Sequence, residues 1–432
     1  MSDGIRVGLL RRHRDFRLLW CGEVTGKFGS SVRAVAMPLI ALSTLHASTW
    51  EVGLLSASAW LPWLLIGLPA GAWVDRMRRR PVMLSSAAVS FLLFALIPVT
   101  SWSGHLSVAL LVAIALLTGT AAVFFQTAYT AYLPSILDPE DQPEGNAKLH
   151  GSASAAQIGG LGSAGLIVQA VGVVNAMFAN AATFLVSFLC IASIRRSEPR
   201  RERKADRPAA LLSEVGEGLR LVARDPWIRT LMLFGASSNL ALMGYQSIQV
   251  VFLVDTVGLA PGAVGGLIAV SSTGGVAGAF VARRLADRVG TARAMLMFEL
   301  GFALFALLIP TASEGVGLVL FAAGGFCVAA GVVAGNVIKS SFQQRYCPPE
   351  LLGRITASTA FLNFGTMPLG ALLGGWLGTA FDLRTAMWIT TAGVPLAALV
   401  LLFSPIGRTR DLPTAPDATD TSATAHSQPS PS

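Results

Sequence analysis

Apolar runs long enough to be membrane spans recur twelve times along this chain, and that recurrence constrains the fold before any motif is considered. A helix needs roughly 20 apolar residues to cross ~30 Å of hydrocarbon, where backbone N–H and C=O groups must be paired internally. Breaking the sequence at charges, Pro-Gly clusters and polar turns places the runs at 17–45, 50–74, 81–101, 105–132, 147–172, 174–195, 228–256, 262–285, 292–312, 316–344, 352–380 and 384–404. These are numbered spans 1 to 12. Charged residues make up 13% of the 432 residues, against roughly 25% in soluble domains. So little polar surface cannot wrap a water-soluble core of this size, and the expected class is an all-α integral membrane protein. The first run is interrupted by Glu23 and Lys27 and lacks a small-residue cleavage pattern, so it reads as a retained span.

The basic residues set the expected orientation. With the N-terminus in the cytoplasm, 28 of the 32 Lys and Arg fall in inner loops or termini, and three (Lys27, Arg33, Lys339) lie within spans. That leaves Arg384 on the outer side. The positive-inside rule predicts such a split, so both termini are expected in the cytoplasm and the setting is a bacterial plasma (inner) membrane. Span-end residues also explain the net charge of +8, so the expected surroundings are the lipid bilayer and not nucleic acid. The expected organisation is a basic arm (1–16), a six-helix half (17–195), a charged linker (196–227), a second six-helix half (228–404) and a disordered tail rich in Pro, Ser, Thr and Asp (405–432). Within the linker, Leu211–Ala223 reads as an amphipathic helix along the membrane surface.

Several chemistries find no support. Cys21, Cys190, Cys327 and Cys347 are scattered and form no CxxC pair, and the histidines stand at span ends, in loops or in the tail. No metal, disulfide framework or cofactor is therefore expected. The sequence has no HExxH, GxSxG or Walker A motif, so an enzyme or an ATP-driven pump is not expected either.

Sliding the chain against itself by 212 residues aligns Arg17 with Arg229, Val52-Gly53 with Val264-Gly265, Asp75-Arg76 with Asp287-Arg288, and Met83-Leu84 with Met295-Leu296. Each match alone is cheap. At one constant offset they indicate two parallel six-span repeats, a transporter plan that places substrate between the halves near the midplane.

The stretch GAWVDRMRRRP, Gly71 to Pro81, follows the second span. Its pattern Gly71-x-x-x-Asp75-Arg76-x-x-Arg79-Arg80, in that position, resembles the loop 2–3 motif of the major facilitator superfamily. FRLLWCGEVTGKFGSS, LPWLLIGLPAGAWVDRMRRRPVM and CPPELLGRITASTAFLNFGTMPLGALLGG are similar to its drug:proton antiporter branch of macrolide-efflux and enterobactin-exporter proteins. That resemblance runs from about Phe16 to Ser404. It implies the major facilitator fold, two parallel six-helix repeats in a monomer. It further implies that Asp75 sits at the inner end of span 2, against a helix N-terminus or an arginine across the seam between halves, latching an outward-open state. Asp287 and Arg288 repeat the Asp-Arg pair, but Arg283 stands where Gly71 does, implying a weaker second latch. The chain departs from the branch in Ser85–Ser90, where members often carry Asp and Arg, in Gly159–Gly162, which lacks the usual Gly-Pro pair, and in the absence of a buried arginine in span 4.

Charged groups within spans cost ~2.5–3.5 kcal/mol each on insertion scales, so each is a functional candidate. Glu23 and Lys27 lie one turn apart in span 1, roughly 9 and 15 Å in from Arg17 at 1.5 Å per residue. They form either a neutralising i,i+4 pair or a switch in which Glu23 takes a proton. Arg33 either snorkels outward or makes a cavity favourable to anions. At the repeat position of Lys27 stands Asn239, followed by Tyr245, Gln246 and Gln249; this polar stripe suits a cavity lining or a helix–helix seam. Glu299 in span 9 is either a second proton site or the partner of a nearby arginine. Asn336 and Lys339 in span 10, Gln126 and Tyr129 in span 4 and Asn363 in span 11 complete the cavity candidates.

The function expected is secondary active export of an amphipathic small molecule by alternating access, with proton antiport the first choice of coupling. Metabolite import or lysolipid flipping on the same fold stays open. So does a non-transporting membrane sensor or assembly protein.

Overall fold

The computed structural model describes residues 9–195, 223, 225–347 and 349–414; most of the linker and the tail beyond 414 lie outside the described residues, including 211–222 of the expected amphipathic helix. Among the described residues there is no strand. After a short turn at Leu9–Arg12, the first half comprises Arg14–Ser43, Thr49–Arg76, Arg79–Trp102, Val108–Ile136, Gln142–Val171 and Ala176–Ala192 as spans 1 to 6. The second half comprises Pro226–Val251 (span 7), Pro261–Val289 (span 8), a helix from Thr291 to Leu296 that runs on into span 9, then Val316–Tyr346, Pro349–Ala380 and Leu383–Leu402 as spans 10 to 12.

Local chemistry explains most of the boundaries. Ser48 opens span 2 with a capping box: its hydroxyl accepts from the Glu51 N–H (3.3 Å), while its own N–H donates to the Glu51 carboxylate (2.7 Å). Asp225 opens span 7 by accepting from the N–H groups of Trp227 and Ile228, both at 2.9 Å, and Tyr346 donates to its second oxygen at 2.7 Å. The start of span 7 is thereby tied to the end of span 10. Among the described residues, eight helices are long and apolar enough to cross a membrane by length and composition, and nine if span 2, bent by 67° between Gly67 and Pro69, counts as one. Pro69 removes a backbone donor and crowds the preceding turn, which bends the helix. Spans 1 and 7 fall short of that hydropathy because one carries Glu23, Lys27 and Arg33 and the other Asn239, Gln246 and Gln249.

The packing divides the molecule into two ends. At the end remote from the arginine-rich loops, one apolar cluster spans both halves, from Val35, Leu39, Ile40, Leu55 and Leu161 to Tyr245, Ile248, Val264 and Leu377. At the arginine-rich end there are two clusters instead. One is built from the first half around Phe16, Met83 and Tyr132, the other from the second half around Met295, Phe298 and Phe342. The halves therefore share a core at the arginine-poor end and have separate cores at the other.

Glycines make the shared end possible. A Cβ on Gly53 of span 2 would lie 2.7 Å from the Gly375 Cα of span 11 and 3.0 Å from the Ala371 carbonyl oxygen. A Cβ on Gly265 of span 8 would lie 2.6 Å from the Gly165 nitrogen of span 5. Gly53 and Gly265 are the pair aligned by the 212-residue offset, and each seats its helix against the opposite half. Small residues at such contacts let helix backbones approach in lipid, where dispersion rather than hydrophobic burial drives association. Along the seam toward the middle of the membrane, Phe364 of span 11 packs against Trp60 (6.2 Å, interplanar 12°) and Trp63 (4.8 Å) of span 2.

The charged termini tie loops together. Arg12 and His13 meet Asp141 at 3.1 and 3.0 Å, joining the arm to the start of span 5. Of the segment expected as tail, Pro405–Arg408 forms a short 3-10 turn, and beyond it Arg410 and Asp411 cap the start of span 9. The Arg410 carbonyl accepts from the Ala292 N–H (3.1 Å), and Asp411 from the Thr291 N–H (2.9 Å). Gly290 allows this approach with φ +98°, a conformation that side chains disfavour. Arg384, the basic residue left on the arginine-poor side, donates to the carbonyls of Pro310 and Ala312 at 3.3 and 3.0 Å and caps the end of span 9.

Candidate functional site

Span 1 carries its charges on turns that face spans 3, 4 and 6. A cavity of about 100 Å³ lies between these four helices, wholly within the first half. Glu23, Lys27, Arg33 and Gln126 line it, with hydroxyls from Ser86, Ser90 and Thr118 and rings from Phe94, Phe125 and Phe184. Glu23 is 7% exposed, and its carboxylate stands 3.4 Å from the Lys27 ammonium. An isolated ion at that depth costs several kcal/mol, so the pair offsets much of the expense of either charge. The Lys27 side chain is 43% exposed and forms the wetter edge of the pair.

Arg33 sits two turns further along. Its guanidinium lies 6.0 Å from the centre of the Phe94 ring, a cation–π contact, and Phe94 leans on Phe184 at 5.3 Å. Among the described residues no carboxylate or hydrogen-bond acceptor is paired with Arg33. Nearby on span 6, Asn180 is fully buried, and neither side-chain polar atom has a partner among the described residues. It packs on Gly29 of span 1, where a Cβ would come within 2.8 Å of its Oδ1. Cys190 of span 6 is also close to Gly22 of span 1, its Cβ 3.5 Å from where a Gly22 Cβ would stand.

The other candidates are distributed elsewhere. Tyr129 is buried beside the cavity and stacks on Phe125 at 6.2 Å. In span 7, Asn239 and Gln249 are half-buried, Tyr245 is buried in the shared core and Gln246 is exposed; none of the four lines the cavity. Asn363 of span 11 lies against Gly235 of span 7, where a Cβ would be 2.7 Å from its Oδ1, and that oxygen has no partner among the described residues. Glu299 is 7% exposed on a π-helical turn, Met297–Gly301, an irregularity often found at functional sites. Its carboxyl packs on Gly335 of span 10, where a Cβ would overlap it. Among the described residues the positive charge that acts on it is that of Lys339 of span 10. Asn336, one turn before Lys339, is exposed.

The loop 2–3 motif lies at the end where the halves have separate cores. Asp75 is 67% exposed, and its ion partner is Arg79, the buried first residue of span 3, at 3.9 Å. Arg80 donates through Nε and Nη2 to the carbonyls of Ile191 and Ala192, at 3.2 and 2.7 Å, capping the C-terminal end of span 6. Gly71 has nothing within 4 Å of where its Cβ would stand, and Arg76 is exposed. In the second copy Asp287 and Arg288 are exposed as well, with Asp287 3.9 Å from Arg283.

The sequence did not single out Ser86, Ser90, Thr118 and Ser187 as cavity residues. Ser86 and Ser90 are one turn apart, but such pairs also mark plain helix packing in membranes. The available signal was the segment Ser85–Ser90 itself, polar where the branch carries charge.

Comparison with known proteins agrees with this architecture. The family model of the Major Facilitator Superfamily matches residues 19–364 and 247–429. The multidrug efflux pump Tap of Mycolicibacterium fortuitum is 25% identical over 411 residues, covering 92% of this chain and 98% of that protein. Tap of Mycobacterium tuberculosis is 27% identical over 397 residues, covering 89% and 92%. Among solved structures, a bacterial homologue of the iron transporter ferroportin in an inward-facing state superposes with a TM-score of 0.73 at 16% identity, covering 92% and 99%. The nucleoside transporter NupG does so with 0.71 at 12%, covering 90% and 98%.

Proposed function

The chain belongs to the major facilitator superfamily and is a multi-pass membrane transporter, and from that premise we propose that it exports an amphipathic small molecule by proton-coupled alternating access. The observation that carries this reading is the division of the core, with one apolar cluster shared by the halves at the arginine-poor end and two separate clusters at the other. Two bodies joined at one end only can rock about the glycine contacts, closing the open end as the closed one parts. In this reading the arginine-rich face is cytoplasmic, as the positive-inside split supports, and the protein stands open to the cytoplasm, ready to load cargo.

The curated relatives named multidrug efflux pumps, which cover most of the chain, support export over import. Glu23 carries the proton: it is buried, it borders the cavity, and Lys27 holds it in the charged form until a proton or cargo competes for the pair. Asp75 acts in the opposite conformation, when the arginine-rich ends of the halves meet and its carboxylate finds a partner across the seam.

The test is flux in proteoliposomes under an imposed pH gradient, with a panel of macrolides, other drugs and siderophores. Gradient-driven export of at least one class is expected, lost in Glu23→Gln while gradient-free exchange of cargo persists. Absence of gradient-dependent flux across the whole panel overturns the reading, and flux only in the opposite direction makes the protein an importer.

A further inference from the structure

We infer that the cavity of the first half is a subsite for a monoanionic acidic group, with Arg33 as its anchor; this deepens the export reading by giving the cargo, or an ion that travels with it, a negative charge. The charges that face the cavity are one acid and two bases, Glu23, Lys27 and Arg33. Glu23 and Lys27 neutralise each other at 3.4 Å. Arg33 is left over. A guanidinium has five N–H donors in a planar fork, and among the described residues none of them is spent on a protein acceptor. The Phe94 ring beneath its centre, 6.0 Å away, attracts the cation but accepts through its face and leaves the edge of the fork free. That edge is what a carboxylate or other small anion binds, with two parallel hydrogen bonds.

The remaining lining fits the same guest. The hydroxyls of Ser86, Ser90 and Thr118 are small polar groups in the same cavity, although Thr118 already donates to the Ile114 carbonyl at 2.7 Å. Phe94, Phe125 and Phe184 provide apolar wall for a short body attached to the acid. Size limits that body. The space of about 100 Å³ is below the ~150 Å³ of an apolar cavity that accepts benzene, so the site admits an acidic head on a short aliphatic body, smaller than an aromatic ring. A macrolide-sized molecule does not fit, and its bulk must remain outside these four helices.

The anion has two possible sources, the acidic group of the cargo or a free inorganic ion such as chloride, and binding measured without transport separates them. Purified full-length protein is titrated with acetate, with its neutral isostere acetamide, and with chloride, all against a constant background of a bulky disulfonate too large for the cavity. The readout is Tm by scanning fluorimetry. Acetate raising Tm where acetamide does not assigns the site to a carboxylate, and chloride alone raising it assigns the site to an inorganic anion. Either response is expected to weaken tenfold or more in Arg33→Gln and to survive in part in Arg33→Lys. Ligand-free Arg33→Gln is expected to melt no lower than the parent, since relief of a cation without a hydrogen-bond partner offsets the Phe94 contact it gives up. Equal responses to acetate and acetamide, or a full anion response in Arg33→Gln, overturn the subsite. Flux that fails while anion binding persists refutes the export reading alone, and flux without any anion response refutes the subsite alone.

Discussion

Replacing Gly53 with Ala places a methyl group where two helix backbones already touch. The added Cβ would lie 2.7 Å from the Gly375 Cα and 3.0 Å from the Ala371 carbonyl oxygen, both main-chain atoms of span 11. Comfortable carbon contacts are ~3.5–4.0 Å, so span 11 has to retreat by about 1 Å along the seam, and no side chain can move aside to absorb it. Overpacking of this kind costs ~1–3 kcal/mol. The helix-propensity gain of Ala over Gly, ~0.8–1.0 kcal/mol, applies in both conformations and cancels from their ratio. The strain is felt only when the arginine-poor ends are closed. The balance between the two conformations should therefore shift by ~5–150-fold toward the one open at that end. Hydrogen exchange with mass spectrometry in nanodiscs reads this directly. Peptides at the arginine-poor ends of spans 2 and 11 should exchange faster in Gly53→Ala, and the loop between spans 2 and 3 should exchange more slowly. Gly265→Ala, at the repeat position against Gly165, should act in the same direction. Unchanged exchange at both ends, with the variant folded, refutes the argument that these glycines hold the seal.

Two further outcomes follow from the loop 2–3 motif. Asp75→Asn removes a 3.9 Å pair between an exposed carboxylate and the buried Arg79; water at the carboxylate keeps its worth near that of a surface pair, ~0–1 kcal/mol, so insertion and Tm should hold while flux collapses, and unaltered flux removes the latch role. Arg80→Ala deletes two charge-assisted bonds to the end of span 6 and should destabilise the first half by about 2 kcal/mol, seen as a lower Tm; an unchanged Tm shows those carbonyls are satisfied without it.

How much of this was legible in the sequence depends on the kind of signal. Hydropathy located the helices, because hydrocarbon leaves the backbone no alternative, and the 212-residue offset paired Gly53 with Gly265 before their common role was visible. Glu23 and Lys27 declared themselves by cost. The helices that enclose them did not. The polar stripe of span 7 suggested a lining shared between the halves, yet the cavity is closed by spans 3, 4 and 6, and Gln246 is exposed elsewhere. Serine and threonine in a span bond to their own helix carbonyls, as Thr118 does to Ile114, so their presence carries little directional information. The π-helical turn at Glu299 and the capping of span 9 by Arg410 and Asp411 arise from tertiary contacts between residues far apart in the chain. No local pattern announces either.

Spans 1 and 7, the first helix of each half, are also the two that fall short of spanning hydropathy. During synthesis they reach the translocon ahead of the neighbours that will shelter their polar groups. A lateral gate sorting helices one at a time by partition free energy would hold such segments poorly, since each mid-helix charge disfavours entry by ~2.5–3.5 kcal/mol. The i,i+4 pairing of Glu23 and Lys27 can form within the nascent helix itself and offsets part of that cost, whereas Arg33 has no such local relief. Biogenesis of each half thus depends on later helices arriving to retain the first, so the polarity carried by the first helix of each half makes insertion a collective event.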